Sequence, residues 1–440
     1  MKFLKQSVCS LLLLVSGFTL AQTEELNALA LELAELQAEI QMLEAENEIE
    51  NLQKIFGFYI DEKMWTQAAD LFTDDGTIEM GGSGVYESKA RVLAYLKSLG
   101  NEGAEQGVLN DHMQLQPVIH VMGDGTAKAR WHHFSQEAVH GVSHHWGTGI
   151  YENEYRFEDG VWKISKLHLY STMRTPYDNG WAKIALSRTS PSETLPPDQG
   201  PSVHYENYPA VYVVPFHYEN PVTGDNSIDV EVQPLDSDQT VITDTLNDLE
   251  KRVGILKDED DIERLHVAYG YYLARNQWDE LTGIFARDGT IEIAQRGIYV
   301  GQEGVRRNLN LYGVQGELPG QLHNHMQYQP VIHVNEDGMS GNMRSRAFSM
   351  MGAYEGFGTW MGGVYENTFI KEDGVWKINT DQVFNTYFAS YNQGWKELNR
   401  TNAPGLNDAN PPDLPPSVYF EMYPSPYVVP FHYSNPVTGQ

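Results

Sequence analysis

The chain has 440 residues, a formal net charge of −30 and a single cysteine. This acidic balance argues against nucleic-acid binding, because that affinity depends on Lys and Arg side chains that neutralise phosphates. It also disfavours binding to anionic membranes, and it fits a small neutral or cationic ligand. The one cysteine, Cys9, lies in the N-terminal leader, so we expect no disulfide and no cysteine metal site in the mature chain.

Residues 1–21 have the pattern of a secretory signal peptide. Lys2 and Lys5 precede the apolar run Leu11–Leu20, and the small residue Ala21 follows it. The run is shorter than the about 20 apolar residues of a transmembrane helix, so we expect no membrane insertion. The pattern predicts a periplasmic or secreted protein. Export without disulfides favours a bacterial source.

Residues 22–48 predict an acidic, coiled-coil-like helix. Its apolar residues recur at the a and d positions of a heptad, namely Leu26, Leu29, Leu33, Leu36, Ile40 and Leu43. Such a helix either packs on its own domain or joins two protomers in a short coiled coil. The sequence leaves both interpretations open, and the second allows a homo-oligomer through this N-terminal helix.

The remainder of the chain is one unit that occurs twice. His112–Val121 and His325–Val334 differ at a single position. Self-similarity of this kind indicates tandem domains. We therefore predict a first domain with its tail at 49–224, a linker and short helix at 225–261, and a second domain with its tail at 262–440.

Within each unit, helical periodicity gives way to extended segments. Leu52–Phe72 has apolar residues at helical spacing. The segments Met113–Val121, Thr126–Gln136, Thr148–Phe157 and Val161–Tyr170 follow it, and Gly-containing turns separate several of them. Helices followed by an antiparallel meander predict an α+β fold.

The order of these motifs resembles the SnoaL-like branch of the NTF2-like superfamily. The matching features include the tryptophan and Asp-Gly run at Trp65–Gly76, the strand led by His112, and the closing segment Tyr151–Ile164. The resemblance implies tandem cones, each a curved antiparallel sheet with helices over its concave face and an apolar pocket between them. The Pro- and Tyr-rich tails, Pro201–Gly224 and Pro416–Gly439, are expected to be extended segments that lie over a partner domain or protomer.

The resemblance also suggests catalytic residues in the first unit. Scytalone dehydratase, a member of this superfamily, uses an acid on the first helix and two histidines on the sheet. The matching positions here are Asp61, His112 and His132, and Tyr59 is expected to position an oxygen of the substrate. This pattern implies a dehydratase, lyase or isomerase that needs no cofactor and acts on a small hydrophobic or aromatic hydroxylated compound. The alternatives are a non-catalytic periplasmic protein that binds a hydrophobic ligand, and an oligomer-assembly module.

The two units differ in their polar residues. Ala274 in the second unit replaces Asp61, so we expect that unit to bind an anionic or phenolate group or to have lost catalysis. The predicted substrate-binding residues of both units are Arg130, Trp146, Tyr272, His325, Arg344 and Arg346. Three further histidines, His140, His144 and His145, raise a metal alternative, but their spacing matches no familiar zinc signature, and we predict no metal site.

Overall fold

The computed structural model describes residues 21–226, 228, 232–316, 319–398 and 409–440. The predicted signal peptide lies almost entirely outside these residues. No helix in the described ranges is both long enough and apolar enough to cross a membrane.

Within the described residues, each repeat contains three α-helices and six strands. The first consists of α1 (Ala21–Asp61), α2 (Trp65–Asp70), β1 (Phe72–Met80), β2 (Tyr86–Glu87), α3 (Lys89–Ser98), β3 (Val108–Val121), β4 (Thr126–Val139), β5 (Ser143–Glu158) and β6 (Val161–Pro176). The second consists of α4 (Gln239–Ala274), α5 (Trp278–Gly283), β7 (Phe285–Ile293), β8 (Tyr299–Val300), α6 (Gly301–Leu309), a 3₁₀ turn (Asn310–Tyr312), β9 (Gln321–Val334), β10 (Ser340–Ala353), β11 (Phe357–Glu372) and β12 (Val375–Ser390). The α+β prediction is therefore confirmed. We call the domains with their helices and tails repeat 1 and repeat 2.

Each repeat forms one sheet with the same strand order. The orders are β2-β1-β6-β5-β4-β3 and β8-β7-β12-β11-β10-β9. The sheets are mixed rather than purely antiparallel, because β1 pairs with β6, and β7 with β12, in the parallel direction. The physical reason is that β1 is connected to the meander by a crossover through α3, whereas the meander strands are joined by hairpins that reverse the chain.

Alternating burial along the strands places one face of each sheet against the helices. In β4, Ala129, Trp131 and His133 are buried while Lys128 and His132 are exposed. Strand β3 is interrupted by a bulge, where its register with β4 shifts between Leu115 and Val118. Gln116 has a φ of 52° at the bulge, and Pro117, which has no amide hydrogen to donate to the ladder, follows it.

The two long helices of the chain pack on each other. Their shared apolar cluster consists of Leu33, Leu36, Ile40, Ile242, Leu246 and Leu249. Arg252 of α4 binds Glu44 of α1 at 2.6 Å, and Asn47 donates a hydrogen bond to Glu259 at 2.9 Å. The heptad face of α1 is thus buried against the second repeat of the same chain. A homo-oligomer through this helix remains a prediction.

The two tails have different surroundings. The first tail is attached to its own repeat, where the Ser202 amide donates to Glu79 at 3.0 Å. The second tail reaches repeat 1, where Asn435 donates to the Gln67 carbonyl at 3.0 Å and Phe431 packs edge-on against Tyr59. The expectation that a tail lies over a partner domain is confirmed for the second tail.

Candidate functional site

Asp61 and His112 form a direct pair in repeat 1. Asp61 is the last residue of α1, and His112 lies on β3 beneath it. Oδ1 of Asp61 accepts a hydrogen bond from the backbone amide of His112 at 2.7 Å and lies 3.1 Å from Nδ1 of its ring. Two contacts from one residue fix both the position and the orientation of the imidazole. The structure therefore brings together two of the predicted site residues.

An arginine of the other repeat completes this pair. The guanidinium of Arg346, on β10, binds the free Oδ2 of Asp61 and also Oδ1 of Asp111. Its Nε donates to Gln329 at 3.0 Å. Arg346 is buried, and both of its carboxylate partners are largely covered. The guanidinium balances the charge of Asp61 in this ion pair, and it has no remaining edge for an anionic substrate. Arg346 therefore lies in the contact between the repeats, and its substrate-binding role in repeat 2 remains a prediction.

The surroundings of His112 favour its protonated form. Burial lowers the pKa of the ring, but the hydrogen bond and charge of Asp61 outweigh that effect, and the pKa is raised overall. Because Nδ1 faces Asp61, we assign the ring proton of neutral His112 to Nδ1. Among the described residues, the other ring nitrogen, Nε2, has no hydrogen-bond partner. This nitrogen is therefore the one available to accept a proton from a ligand.

A second histidine stacks on the first. The rings of His133 and His112 are parallel within 19°, with their centroids 5.6 Å apart. Burial first, and then the nearby charge of His112, lower the pKa of His133 to about 3, so its ring stays neutral when His112 becomes charged. Beyond them, Glu137 binds Arg174 at 2.8 Å. The ring stack and this carboxylate belong to the polar side chains on the face of the sheet that packs against the helices.

Two predicted catalytic residues do not join this site. His132 is exposed on the opposite face of β4, so the expected convergence of His132 with Asp61 and His112 is wrong, and His133 takes that position. Tyr59 is buried among core residues, and its ring packs on Phe431 of the second tail. Since Tyr59 and Asp61 are two residues apart on a helix, they point in different directions. Tyr59 therefore does not lie beside His112 to position a substrate oxygen.

Arg130 and Arg344 attach the tails rather than line a pocket. Arg130 binds Glu152 and donates to the Pro215 carbonyl of the first tail at 3.1 Å. Arg344 does the same in repeat 2, with Glu366 and the Pro430 carbonyl at 3.2 Å. The Arg130 guanidinium and Nη1 of Arg344 are thus bound by protein carboxylates and carbonyls, whereas Nε and Nη2 of Arg344 are buried without a hydrogen-bond partner among the described residues. Their substrate-binding roles remain predictions.

A chain of two histidines and a glutamate accompanies each of these arginines. In repeat 1, His217 of the tail lies 2.9 Å from Glu152 and 3.0 Å from His120 of β3. In repeat 2, His432 contacts Glu366 and His333 at the same 2.9 Å. His120 and His333 therefore each hold the tail of their own repeat against the sheet.

Repeat 2 lacks the acid of the pair. His325 is buried, and its Nδ1 lies 3.0 Å from the Ser349 hydroxyl instead of a carboxylate. Burial lowers the pKa of His325 to about 3, so the ring is a weak base. Tyr272 packs at the edge of the repeat 2 core. The ligand-binding roles of His325 and Tyr272 remain predictions.

Trp146 lies in a cavity between the two repeats. The cavity has a volume of about 720 Å³. Its aromatic lining consists of Phe134, Trp146, Tyr177, Trp181, Phe348, Trp360 and Tyr391. Tyr177 is held in place by the Trp360 indole, which donates to its hydroxyl at 2.9 Å. The placement of Trp146 is compatible with its predicted role in ligand binding.

The histidines considered for a metal site do not converge. His144 faces Asp178 at 3.0 Å, and His140 packs against Tyr423 of the second tail. Within the described ranges, no group of three or more His, Cys, Asp or Glu side chains is arranged to hold a metal ion.

The model of the SnoaL-like domain matches residues 41–168 and 255–380, which together make up more than half of the chain. The chain belongs to this family. The SnoaL-like match in each repeat agrees with the observed cones, and the prediction of tandem NTF2-like domains is confirmed. No curated protein matches the sequence.

Solved structures of similar fold each cover one repeat. A putative scytalone dehydratase from Novosphingobium aromaticivorans is 24% identical, covers 32% of this chain and 95% of its own, and has a TM-score of 0.27. A hexachlorocyclohexane dehydrochlorinase from Novosphingobium barchaimii is 19% identical, with coverages of 31% and 90% and a TM-score of 0.27. ActVI-ORFA from Streptomyces coelicolor is 15% identical, with coverages of 28% and 94% and a TM-score of 0.26. These similarities concern the fold alone.

Proposed function

We propose that repeat 1 is a cofactor-independent acid/base enzyme, a dehydratase, lyase or isomerase, that acts on a small hydrophobic or aromatic hydroxylated substrate. One observation carries the proposal: Asp61 binds Nδ1 of His112 and leaves Nε2 without a partner among the described residues. A carboxylate on one ring nitrogen stabilises the imidazolium that forms when the other nitrogen accepts a proton.

In a dehydration, Nε2 of His112 removes a proton from the carbon next to the one that bears the hydroxyl. The electron pair of that C–H bond becomes the new double bond, and the C–O bond breaks. The imidazolium returns its proton to the departing hydroxyl, which leaves as water. Arg346 balances the negative charge of Asp61 throughout. His133 stays neutral, and its ring stacks on the charged ring of His112.

The experiment compares variants of repeat 1 with a matched variant of repeat 2. Purified protein is incubated with a panel of aromatic alcohols, and loss of water is followed by mass spectrometry. For a substrate found in this way, His112→Ala and Asp61→Asn are expected to lower kcat/KM by about 10²- to 10⁴-fold. His325→Ala is the matched control in repeat 2 and is expected to leave turnover unchanged. Equal losses in His112→Ala and His325→Ala would contradict the proposal.

A second candidate function is ligand binding without catalysis, and the aromatic cavity between the repeats favours it. Its volume lies within the range of small-molecule sites, and aromatic side chains form most of its wall. A binding protein predicts that an aromatic ligand quenches tryptophan fluorescence, and that Trp181→Ala weakens this binding while His112→Ala does not. If His112→Ala weakened the binding and Trp181→Ala did not, the result would favour the enzyme.

We also propose that the protein is periplasmic or secreted, on the basis of the leader pattern in residues 1–21. Cell fractionation followed by N-terminal sequencing tests this proposal. A mature N-terminus near Gln22 in the exported fraction is expected, and a cytoplasmic protein that retains Met1 would contradict it.

A further inference from the structure

The contact between the two repeats joins two different surfaces. Repeat 1 contributes the end of α1 and the start of β3, which we call its helix face. Repeat 2 contributes four segments: a bulge of β9, where its register with β10 shifts between Tyr328 and Val331, the middle of β10, the segment after β12 and the second tail. We call this surface its tail face. Gln329 on the tail face illustrates the contact: it donates to the Lys54 carbonyl at 2.7 Å and accepts from the Gln114 amide at 2.9 Å.

The helix face of repeat 2 carries equivalent residues, but no part of the chain that the structure describes covers it. Phe58 of repeat 1 is 2% exposed, whereas its equivalent, Tyr271, is 72% exposed. Leu109 is 2% exposed, whereas its equivalent, Leu322, is 50% exposed. The apolar character of these positions is retained in repeat 2 without a described surface to bury it.

The tail face of repeat 1 is open in the same way. Trp395 of repeat 2 is fully buried, whereas its equivalent, Trp181, is 57% exposed. Val437 packs on the core of repeat 1, while its equivalent, Val222, is exposed. Each half of the internal contact therefore occurs a second time as an exposed surface. The exposed helix face lies on repeat 2, and the exposed tail face lies on repeat 1.

This arrangement is heterologous, because in a two-fold pair both repeats would bury the same residues. A heterologous contact leaves one unused half at each end, and such contacts propagate head to tail into rings or longer assemblies. The unused apolar side chains also extend well beyond the aromatic cavity, to Leu322 and Tyr271 on one repeat and Val222 on the other. A small molecule in the cavity would leave these residues exposed, so a protein surface is the better complement.

We propose that the open helix face of repeat 2 in one copy binds the open tail face of repeat 1 in a second copy. The internal contact shows how the surfaces match. Leu109 lies in one apolar cluster with Trp395 and Tyr423, so Leu322 is placed against the equivalent Trp181 and Tyr208 of the second copy. A second copy always carries the complementary face, which makes it the occupant that the repeated surfaces specify.

One difference sets the strength of this contact. Within the chain, Arg346 and Asp61 bind each other across the interface. Their equivalents in the contact between copies are His132 and Ala274, which cannot form an ion pair. We therefore expect an association that depends on protein concentration and rests on apolar contacts.

Sedimentation velocity on the full chain over a range of concentrations tests the proposal. The wild type is expected to form dimers or larger species. Leu322→Glu on the helix face and Val222→Glu on the tail face each introduce a charge at an exposed position and are expected to raise the dissociation constant about tenfold or more. The control is Val300→Glu, because repeat 1 carries Glu87 at the equivalent exposed position. This variant is expected to associate like the wild type.

Mixing the two variants distinguishes a head-to-tail contact from any other. Each variant alone has one intact face and no intact partner face, so both are expected to be monomeric. In the mixture, the intact helix face of the Val222→Glu protein binds the intact tail face of the Leu322→Glu protein, and one-to-one dimers form. A wild type that stays monomeric at every concentration would overturn the proposal. So would association that both variants leave unchanged, or a mixture of the variants that contains only monomers.

Discussion

Arg346→Met removes the positive charge that two buried carboxylates share. Asp61 and Asp111 would remain between the repeats without their cation. Breaking a buried ion pair by deleting one partner costs about 3–5 kcal/mol, so we expect the free energy of unfolding to fall by about that amount at pH 8. Methionine fills much of the same volume, which keeps the loss electrostatic rather than steric.

The loss should depend on pH in a defined direction. Burial and the neighbouring Asp61 charge raise the pKa of Asp111 to about 6 even with Arg346 present, although Arg346 itself lowers it. Without the arginine, the folded protein takes up a proton on Asp111 more readily, and this protonation relieves the repulsion between the two carboxylates. The variant is therefore expected to lose less stability at pH 5 than at pH 8.

Urea unfolding of wild type and variant at the two pH values measures both quantities. Arg306→Met serves as the control, because Arg306 pairs with Asp279 at the surface, where ion pairs contribute little. A loss below about 1 kcal/mol for Arg346→Met, or an equal loss at both pH values, would refute this reasoning.

Two further predictions concern packing and acid sensitivity. Gly57→Ala places a Cβ 2.7 Å from Gln114 and 2.8 Å from Gln329, so thermal unfolding should show a loss of about 1–3 kcal/mol. Gly254→Ala, a helical position with open space, should instead gain about 1 kcal/mol, and parallel changes in the two variants would contradict the packing argument. The pKa of His133 is about 3 in the folded protein, whereas a histidine in the unfolded chain has a pKa of about 6.5. As the pH falls below about 6.5, the unfolded chain therefore binds a proton that the folded protein does not, and stability falls by up to about 1.4 kcal/mol per pH unit. His133→Gln should flatten urea midpoints measured between pH 7 and pH 4, and an unchanged slope would count against the assignment.

The fold could be predicted from local patterns because they occur twice in the chain. The strands near Thr126 and Val161 begin where the sequence predicts, although they run several residues further than expected. The parallel pairing of β1 with β6 could not be predicted, since strand direction depends on a crossover that leaves no local pattern. The packing of α1 on α4 was missed for a similar reason, because heptad spacing identifies an apolar face but not its partner.

The site could be predicted only in part. Asp61 and His112 follow from the family pattern, whereas Arg346 is 285 residues from Asp61 and reaches it across a contact between repeats. The expectation that His132 joins His112 is wrong because the register of β3 with β4 places His133, and not His132, on the face of His112. A signal was available, because Trp131 shares the face of His133, and the apolar face of a strand is the one that becomes buried.

The titration of His112 tests the central claim most directly. Nuclear magnetic resonance of the ring nitrogens would give its pKa and its neutral tautomer in the wild type and in Asp61→Asn. We predict that the wild-type pKa lies above the about 6.5 of a free histidine, with the proton on Nδ1, and that Asp61→Asn lowers it. A wild-type pKa below that of free histidine, or one that Asp61→Asn leaves unchanged, would contradict the assignment of His112 as a base held by Asp61.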